Sequence, residues 1–193
     1  LLRALLPALR TETHLVSLAA GVTLADLGEI RPGRNSKCIP SVTAEVRDGV
    51  ALLCHDPAVP PDAAARCEQL LGTLATVVLI AERHFALAAD LTSCAPGLLS
   101  AIADEYLQAA LRAGELDPAQ AEHMLKITLR GWSRLLLDQS MDFSQAIGRV
   151  ATKGGITEQG VGVLRTGLPA VFDALFAATA VKHRELAARL AQH

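Results

Sequence analysis

Two kinds of periodicity divide the chain. Up to about residue 82, short apolar runs alternate with helix-spaced stretches; beyond it the periodic segments are all helical. Leu15-Val16-Ser17-Leu18-Ala19 predicts a buried strand closed by Gly21. Thr23 stands where it would cap a short helix reaching about Ile30, with Asp26 and Glu29 at exposed positions. Lys37-Cys38-Ile39-Pro40 and Val50-Ala51-Leu52-Leu53-Cys54 predict two further strands around a turn at Asp48-Gly49. Pro60-Pro61-Asp62 opens a helix to about Leu74, with Pro61 near its first turn, and Leu74 to Ala81 is the next strand. Strands alternating with helices imply an α/β layer with a mainly parallel sheet.

The second half predicts helices at Pro96 to about Ala113, ended by Gly114, and from Pro118, capped by Asp117, to about Gln139. A short helix covers Phe143 to Val150, another follows Gly154-Gly155, and Gly167-Leu168-Pro169 starts a last one reaching about Ala191. The first of these carries only Asp104, Glu105 and Arg112 as charges and is apolar nearly all round. Such a helix is buried on every side. Either a second subunit shares its core, making an intertwined homodimer, or it runs centrally among the other helices of a monomer.

Composition narrows the partners. Hydrophobic residues make up 51% of the 193, largely Ala and Leu, and aromatics only 3%, which suits closely approaching helices. Apolar runs are interrupted well short of the roughly 20 residues a membrane span needs, so no transmembrane segment is expected. A net charge of −2 without a basic cluster gives no footprint for nucleic acid or an anionic membrane. Cys38, Cys54, Cys67 and Cys94 contain no C-x-x-C pair, so free and mostly buried thiols are expected, with a cytoplasmic location as the default. His84 and His123 read as partly exposed helical residues. Leu1 to Pro7 lacks the layout of a signal peptide and reads as the middle of an amphipathic helix, as if the chain began inside a longer one.

The segment with chemistry in it is Thr152-Lys153-Gly154-Gly155-Ile156-Thr157. Two glycines let backbone approach a ligand closely. Amides at the start of the following helix can receive a carboxylate, and Thr152 and Thr157 add uncharged donors. On chemistry alone the segment reads first as an ordinary loop between helices with a glycine pair.

Taken with Leu91-Thr92-Ser93-Cys94-Ala95-Pro96-Gly97 upstream, the order and spacing resemble the pyrroline-5-carboxylate reductase family. That family has S-P-G-G-T/A-T, to which Thr152, Gly154, Gly155 and Thr157 correspond, followed by a turn like Gly167-Leu168 and a closing helix like Thr179 to Leu186. Its S-G-C-G-P-A is similar to the stretch at Thr92, Cys94 and Pro96, and its S-x-x-A-G-V strand end to Ser17 through Val22. Ala95 and Lys153 replace a glycine and a proline of the family pattern. The family's M-P-N-T-P loop stands here as Ile39-Pro40-Ser41-Val42-Thr43.

The resemblance implies an α/β plus all-α chain: the C-terminal part of a Rossmann-like dinucleotide-binding domain over 1–82, then a helical dimerisation and substrate domain over 83–193. It implies reduction of 1-pyrroline-5-carboxylate to L-proline with NADPH or NADH, by a homodimer or a higher oligomer. Thr157 would be the catalytic contact to the ring nitrogen, positioning an iminium or relaying a proton from water. Thr152, Lys153, Gly154, Gly155, Ile156 and Thr92 would bind substrate, with Lys153 either strengthening anion binding or facing solvent. Ala20, Gly21, Pro40, Ser41 and Cys94 would line the cofactor, Cys94 as a packing residue and not a nucleophile. No metal is implied. Two alternatives stay open: a related reductase for another imine, and an inactive dimerisation module, since no G-x-G-x-x-G occurs in this sequence.

Overall fold

The computed structural model describes residues 2–190. They form two compact units: the residues up to Leu98 together with the stretch from Phe176 onward, and Leu99–Leu175.

The first unit holds α1 (Leu2–Leu5) with a 3₁₀ turn behind it, then β1 (Leu15–Ser17), α2 (Leu24–Ile30), β2 (Asn35–Pro40), β3 (Val50–His55), α3 (Pro61–Gly72), β4 (Thr76–Leu79) and α4 (Phe85–Leu91). Leu1 of the expected amphipathic helix lies outside the described residues. The strand order is β1-β2-β3-β4, and β1 with β2 and β3 with β4 pair parallel. The β2–β3 pair is antiparallel, a departure from a simple alternating layer. Its cause is length: the connection 41–49 is shorter than the dozen or so residues a parallel crossover needs. It holds instead a 3₁₀ turn over Val42–Val46, with Arg47 and Gly49 at positive φ (56° and 87°).

Thr23 caps α2 reciprocally: its Oγ1 accepts the Asp26 amide at 3.0 Å, and Asp26 Oδ2 accepts the Thr23 amide at 2.8 Å. Those bonds from Thr23 hold the Asp26 carboxyl below its ordinary value. Alternation along β3 builds two cores. Ala51 and Leu53 pack with Cys38, Cys67 and Ala75 on one face, Leu52 and Cys54 with Phe85 and Ala89 on the other. Cys38, Cys54 and Cys67 are free, buried thiols, and burial beside Cys67 pushes Cys38 up to about 11.

At the amino edge of β1 and β2 the core turns polar. Ser36, fully buried, has its Oγ 2.6 Å from His14 Nε2 and 2.6 Å from His55 Nδ1. His55 Nε2 lies 3.5 Å from Glu68 Oε1. Burial, then the neighbouring His55, lowers the His14 pKa.

Leu99–Leu175 contains the rest of α5 (Ala95–Ala113), then α6 (Pro118–Asp138), α7 (Phe143–Val150) and the first part of α8 (Ile156–Leu190). Asp117 and Asp142 cap α6 and α7 by accepting the amides of Gln120 (2.8 Å) and Gln145 (2.7 Å). One expectation fails here. The break at Gly167-Leu168-Pro169 does not occur; α8 runs through it with Pro169 inside. Gly167 is not at positive φ, so nothing there turns the chain, and the helix tolerates the lost Pro169 donor. Ala191, the expected end, lies outside the described residues.

Ala121 is the one buried residue of Leu99–Leu175 among the described residues. Leu99, Ile102, Tyr106, Ile127, Trp132, Phe143, Val163 and Val171 are exposed, and Trp132 stacks on Phe143 at 6.2 Å between ring centroids. A second expectation also needs correcting. Glu82–Ala113 and Ile156–Ala188 are, by length and composition alone, apolar enough to cross a membrane. The charges that interrupt their apolar runs are too sparse to prevent it, although Thr92–Cys94 breaks the first between α4 and α5.

Candidate functional site

In the first unit, the candidate cofactor residues gather where β1 and β2 end. These strands run parallel, with Ser17 level with Lys37, so the loop through Ala20-Gly21 and the step at Pro40-Ser41 leave the same edge of the sheet. Ligands of open α/β sheets bind beyond the carboxyl ends of such strands, so these residues stand where a dinucleotide would fit. Pro40, exposed, closes β2 opposite Ala51. Ser41 is buried at 5% exposure. Its hydroxyl receives the Thr43 hydroxyl at 3.0 Å and donates to the Thr92 carbonyl at 3.4 Å. The fold thus joins Ser41 to Thr92, 51 positions apart.

Thr92 follows α4, its Oγ1 donating to the Ala88 carbonyl at 2.8 Å. The Cys94 amide donates to the Ala89 carbonyl at 2.8 Å, and the Cys94 carbonyl accepts the Gly97 and Leu98 amides, starting α5. Cys94 is exposed, but partial burial and the charge of Asp90 push its thiol up, so it stays protonated at neutral pH. That suits a packing contact and not a nucleophile.

Sequence reasoning passed over two polar clusters in this unit. Lys37, 4% exposed, donates from Nζ to the Ala20 carbonyl at 3.0 Å and lies 3.8 Å from Glu82 Oε1. Asp90, also 4% exposed, accepts Thr179 Oγ1 at 2.8 Å and faces His183 Nε2 at 2.9 Å, tying the end of α8 to α4. For Asp90 the available signal was a lone charge inside an apolar window, since a buried charge needs a partner; Lys37 follows Arg34, Asn35 and Ser36 and carries no such signal. The partners, far away in sequence, carry no local mark. A depression of about 500 Å³ lined by residues including Arg47, Glu68, Gly72 and Thr76 contains none of the candidate residues.

In the second unit, α7 ends at Val150 and the chain makes a tight turn into α8. Gly154 has φ +74°, a conformation L side chains rarely adopt. The Gly155 amide donates to the Thr152 carbonyl at 2.8 Å. A Cβ on Gly155 would stand 2.6 Å from Thr152 Oγ1 and 2.9 Å from that carbonyl oxygen, so only glycine closes this turn without displacing backbone. Ile156, 94% exposed, and Thr157, also exposed, open α8, in the turn where helix amides have no internal partner. Lys153 is exposed as well. Glu158, which sequence reasoning did not single out, accepts the Gly154 amide on its Oε2 at 2.7 Å. The turn therefore already holds a carboxylate of the chain's own at one of its amides. No cluster suited to a metal ion exists among the described residues.

Comparison with known proteins places these features. Residues 82–186 match the family model for pyrroline-5-carboxylate reductase dimerisation. The chain is similar to pyrroline-5-carboxylate reductase 3 of Bacillus subtilis, with 36% identity over 185 residues, covering 96% of this chain and 68% of that protein. The solved pyrroline-5-carboxylate reductase of Coxiella burnetii superposes with a TM-score of 0.86 at 26% identity, over 95% of this chain and 70% of the other. The Plasmodium falciparum pyrroline carboxylate reductase, solved with NADP bound, shares the fold at a TM-score of 0.82 and 17% identity, over 97% and 73% of the two chains. The sheet unit corresponds to the C-terminal part of a Rossmann-like domain, the helices to a dimerisation domain, and the chain belongs to the pyrroline-5-carboxylate reductase family.

Proposed function

We propose that this protein reduces 1-pyrroline-5-carboxylate to L-proline with NADPH or NADH, as a cytoplasmic homodimer. The observation that carries the reading is the Gly154-Gly155 turn, tight enough to exclude any side chain, opening a long helix with Thr157 in its first turn. Residues 1–82 would serve the cofactor and 83–193 dimerisation and substrate.

Ala20, Gly21, Pro40, Ser41 and Cys94 would hold the nicotinamide half of the dinucleotide, which when bound supplies the hydride for the imine carbon. The amides of Ile156 and Thr157, with the hydroxyl of Thr152, would receive the substrate carboxylate, favoured by the positive end of α8. Glu158, which holds the Gly154 amide, would stand beside that carboxylate as a second negative charge. Lys153 would complete the substrate contacts of this turn, offsetting the charge of Glu158. Thr157 Oγ1 accepts the N–H of the protonated ring nitrogen. A threonine hydroxyl is too weak an acid to protonate an imine unaided, so its work is orientation.

A dimer covers the apolar helix faces that stand exposed in one chain, including those polar enough only in part to stay in water. A second reading keeps fold and cofactor and changes the imine. It is favoured by Lys153 and Glu158, which give this turn a charge pattern of its own.

The test is NADPH oxidation by the full gene product with 1-pyrroline-5-carboxylate. Turnover that falls about a hundredfold or more in kcat for Thr157→Ala, with the dimer intact, supports the reading. Unchanged kcat removes Thr157 from the mechanism. Cofactor binding without turnover points to another imine.

A further inference from the structure

β2 buries four consecutive residues, Asn35 to Cys38, and Lys37 is among them. A long cationic side chain at 4% exposure is costly unless its amino group is partnered. Lys37 Nζ has three neighbours: the Ala20 carbonyl at 3.0 Å, Glu82 Oε1 at 3.8 Å, and the Phe85 ring with its centroid at 5.5 Å. The same Glu82 Oε1 accepts the Leu24 amide at 2.8 Å.

The two partners therefore hold one connection at both ends. Lys37 takes the Ala20 carbonyl, Glu82 takes the Leu24 amide, and Gly21, Val22 and Thr23 hang between them. Packing does little here: Ala19 and Ala20 are exposed and Leu18 is 60% exposed. Besides two short local bonds, Val22 amide to Ala19 carbonyl at 3.2 Å and Ala19 amide to Ser17 Oγ at 3.3 Å, the shape of the β1–α2 connection rests on this ion pair and on the Thr23 cap.

The geometry points to Lys37 and Glu82 as positioning residues for the nicotinamide dinucleotide. They fix the Ala20-Gly21 backbone against which the cofactor rests and act on its affinity through that backbone. The inference rests on the cofactor role given above to Ala20 and Gly21, and not on the identity of the imine. Lys37→Met keeps the apolar stem and removes the donor to Ala20. Lys37→Arg restores a donor and the charge. Glu82→Gln keeps an acceptor for the Leu24 amide and removes the charge facing Lys37.

The experiment is a fluorescence titration of the full gene product with NADPH alone, followed by initial rates with 1-pyrroline-5-carboxylate in which each substrate is varied in turn. The expected result for Lys37→Met is a Kd and a KM for NADPH raised about tenfold, an unchanged KM for the imine, and substantial recovery in Lys37→Arg. Glu82→Gln moves the same constants the same way by about threefold, and is the readout if Lys37→Met does not fold. An NADPH Kd within twofold of wild type in the folded variants overturns the inference. So does a parallel rise in both KM values with a fall in Tm, which is what a merely structural pair would give. NADPH binding by the wild type without imine turnover defeats the proposed reaction and leaves this inference standing. No NADPH binding by the wild type defeats both.

Discussion

The sheet unit and the helical unit handle the same raw material in opposite ways. In the first, β3 is buried from Ala51 to Cys54, and each of its faces has a core. In the second, four helices rich in Leu, Ile and Val leave Ala121 as the one buried residue among those described. A sheet satisfies its apolar faces with the helices its own chain supplies. Helices α5 to α8 carry more apolar surface than one copy can cover, and a patch of that extent marks an interface. The two units keep their cores in different places: the first within the chain, the second between copies, as the match to a dimerisation domain suits.

The contrast can be broken most forcefully at Trp132, which is 44% exposed and stacked on Phe143. Trp132→Asp should weaken self-association about a hundredfold or more, read by sedimentation velocity, because buried aromatic anchors dominate interfaces. The sheet unit should keep its hydrogen-exchange protection. An undisturbed dimer would mean that this face does not carry the helical unit's core. The converse test is Leu53→Ala, at 0% exposure in the sheet core. It should cost about 3 kcal/mol in chemical unfolding and leave the oligomer unchanged. If it also dissociated the protein, the two cores would be one cooperative system.

The smallest effect concerns pH and belongs to the sheet unit alone. Burial and His55 lower the His14 pKa, so the unfolded chain takes up this proton more readily than the folded one. Its contribution to stability is therefore full above the unfolded value of about 6.5 and is lost as pH falls from there toward the folded value. Unfolding midpoints at pH 7.5 and 5.5 should differ by less in His14→Gln than in the wild type. An equal difference in both would move the effect to another group.

Local rules made much of this legible. Thr23 caps α2, Asp117 caps α6, and Asp142 caps Phe143–Val150, so the start of each helix has its capping side chain in the sequence. The antiparallel β2–β3 pair was readable as well, since 41–49 leaves no room for a crossover. Pro169 misled, because a proline says where a helix loses a bond and not whether neighbouring turns outweigh it. In the candidate site, the glycine turn is written in four consecutive residues, Thr152 to Gly155. The pair formed by Lys37 and Glu82 is not, since Glu82 meets the Leu24 amide across 58 positions. Only the folded sheet puts that carboxylate beside a buried amine.

The polar row at the sheet's amino edge has a grammar of its own. Ser36 has one hydroxyl proton for two imidazole nitrogens, each 2.6 Å away. It can donate to one ring only, so the other ring must donate to it. His55 Nε2 in turn lies 3.5 Å from Glu68 Oε1. The row is thus a continuous polar line from α3 across β3 and β2 to the residue just before β1, and its protons can run in only one direction at a time.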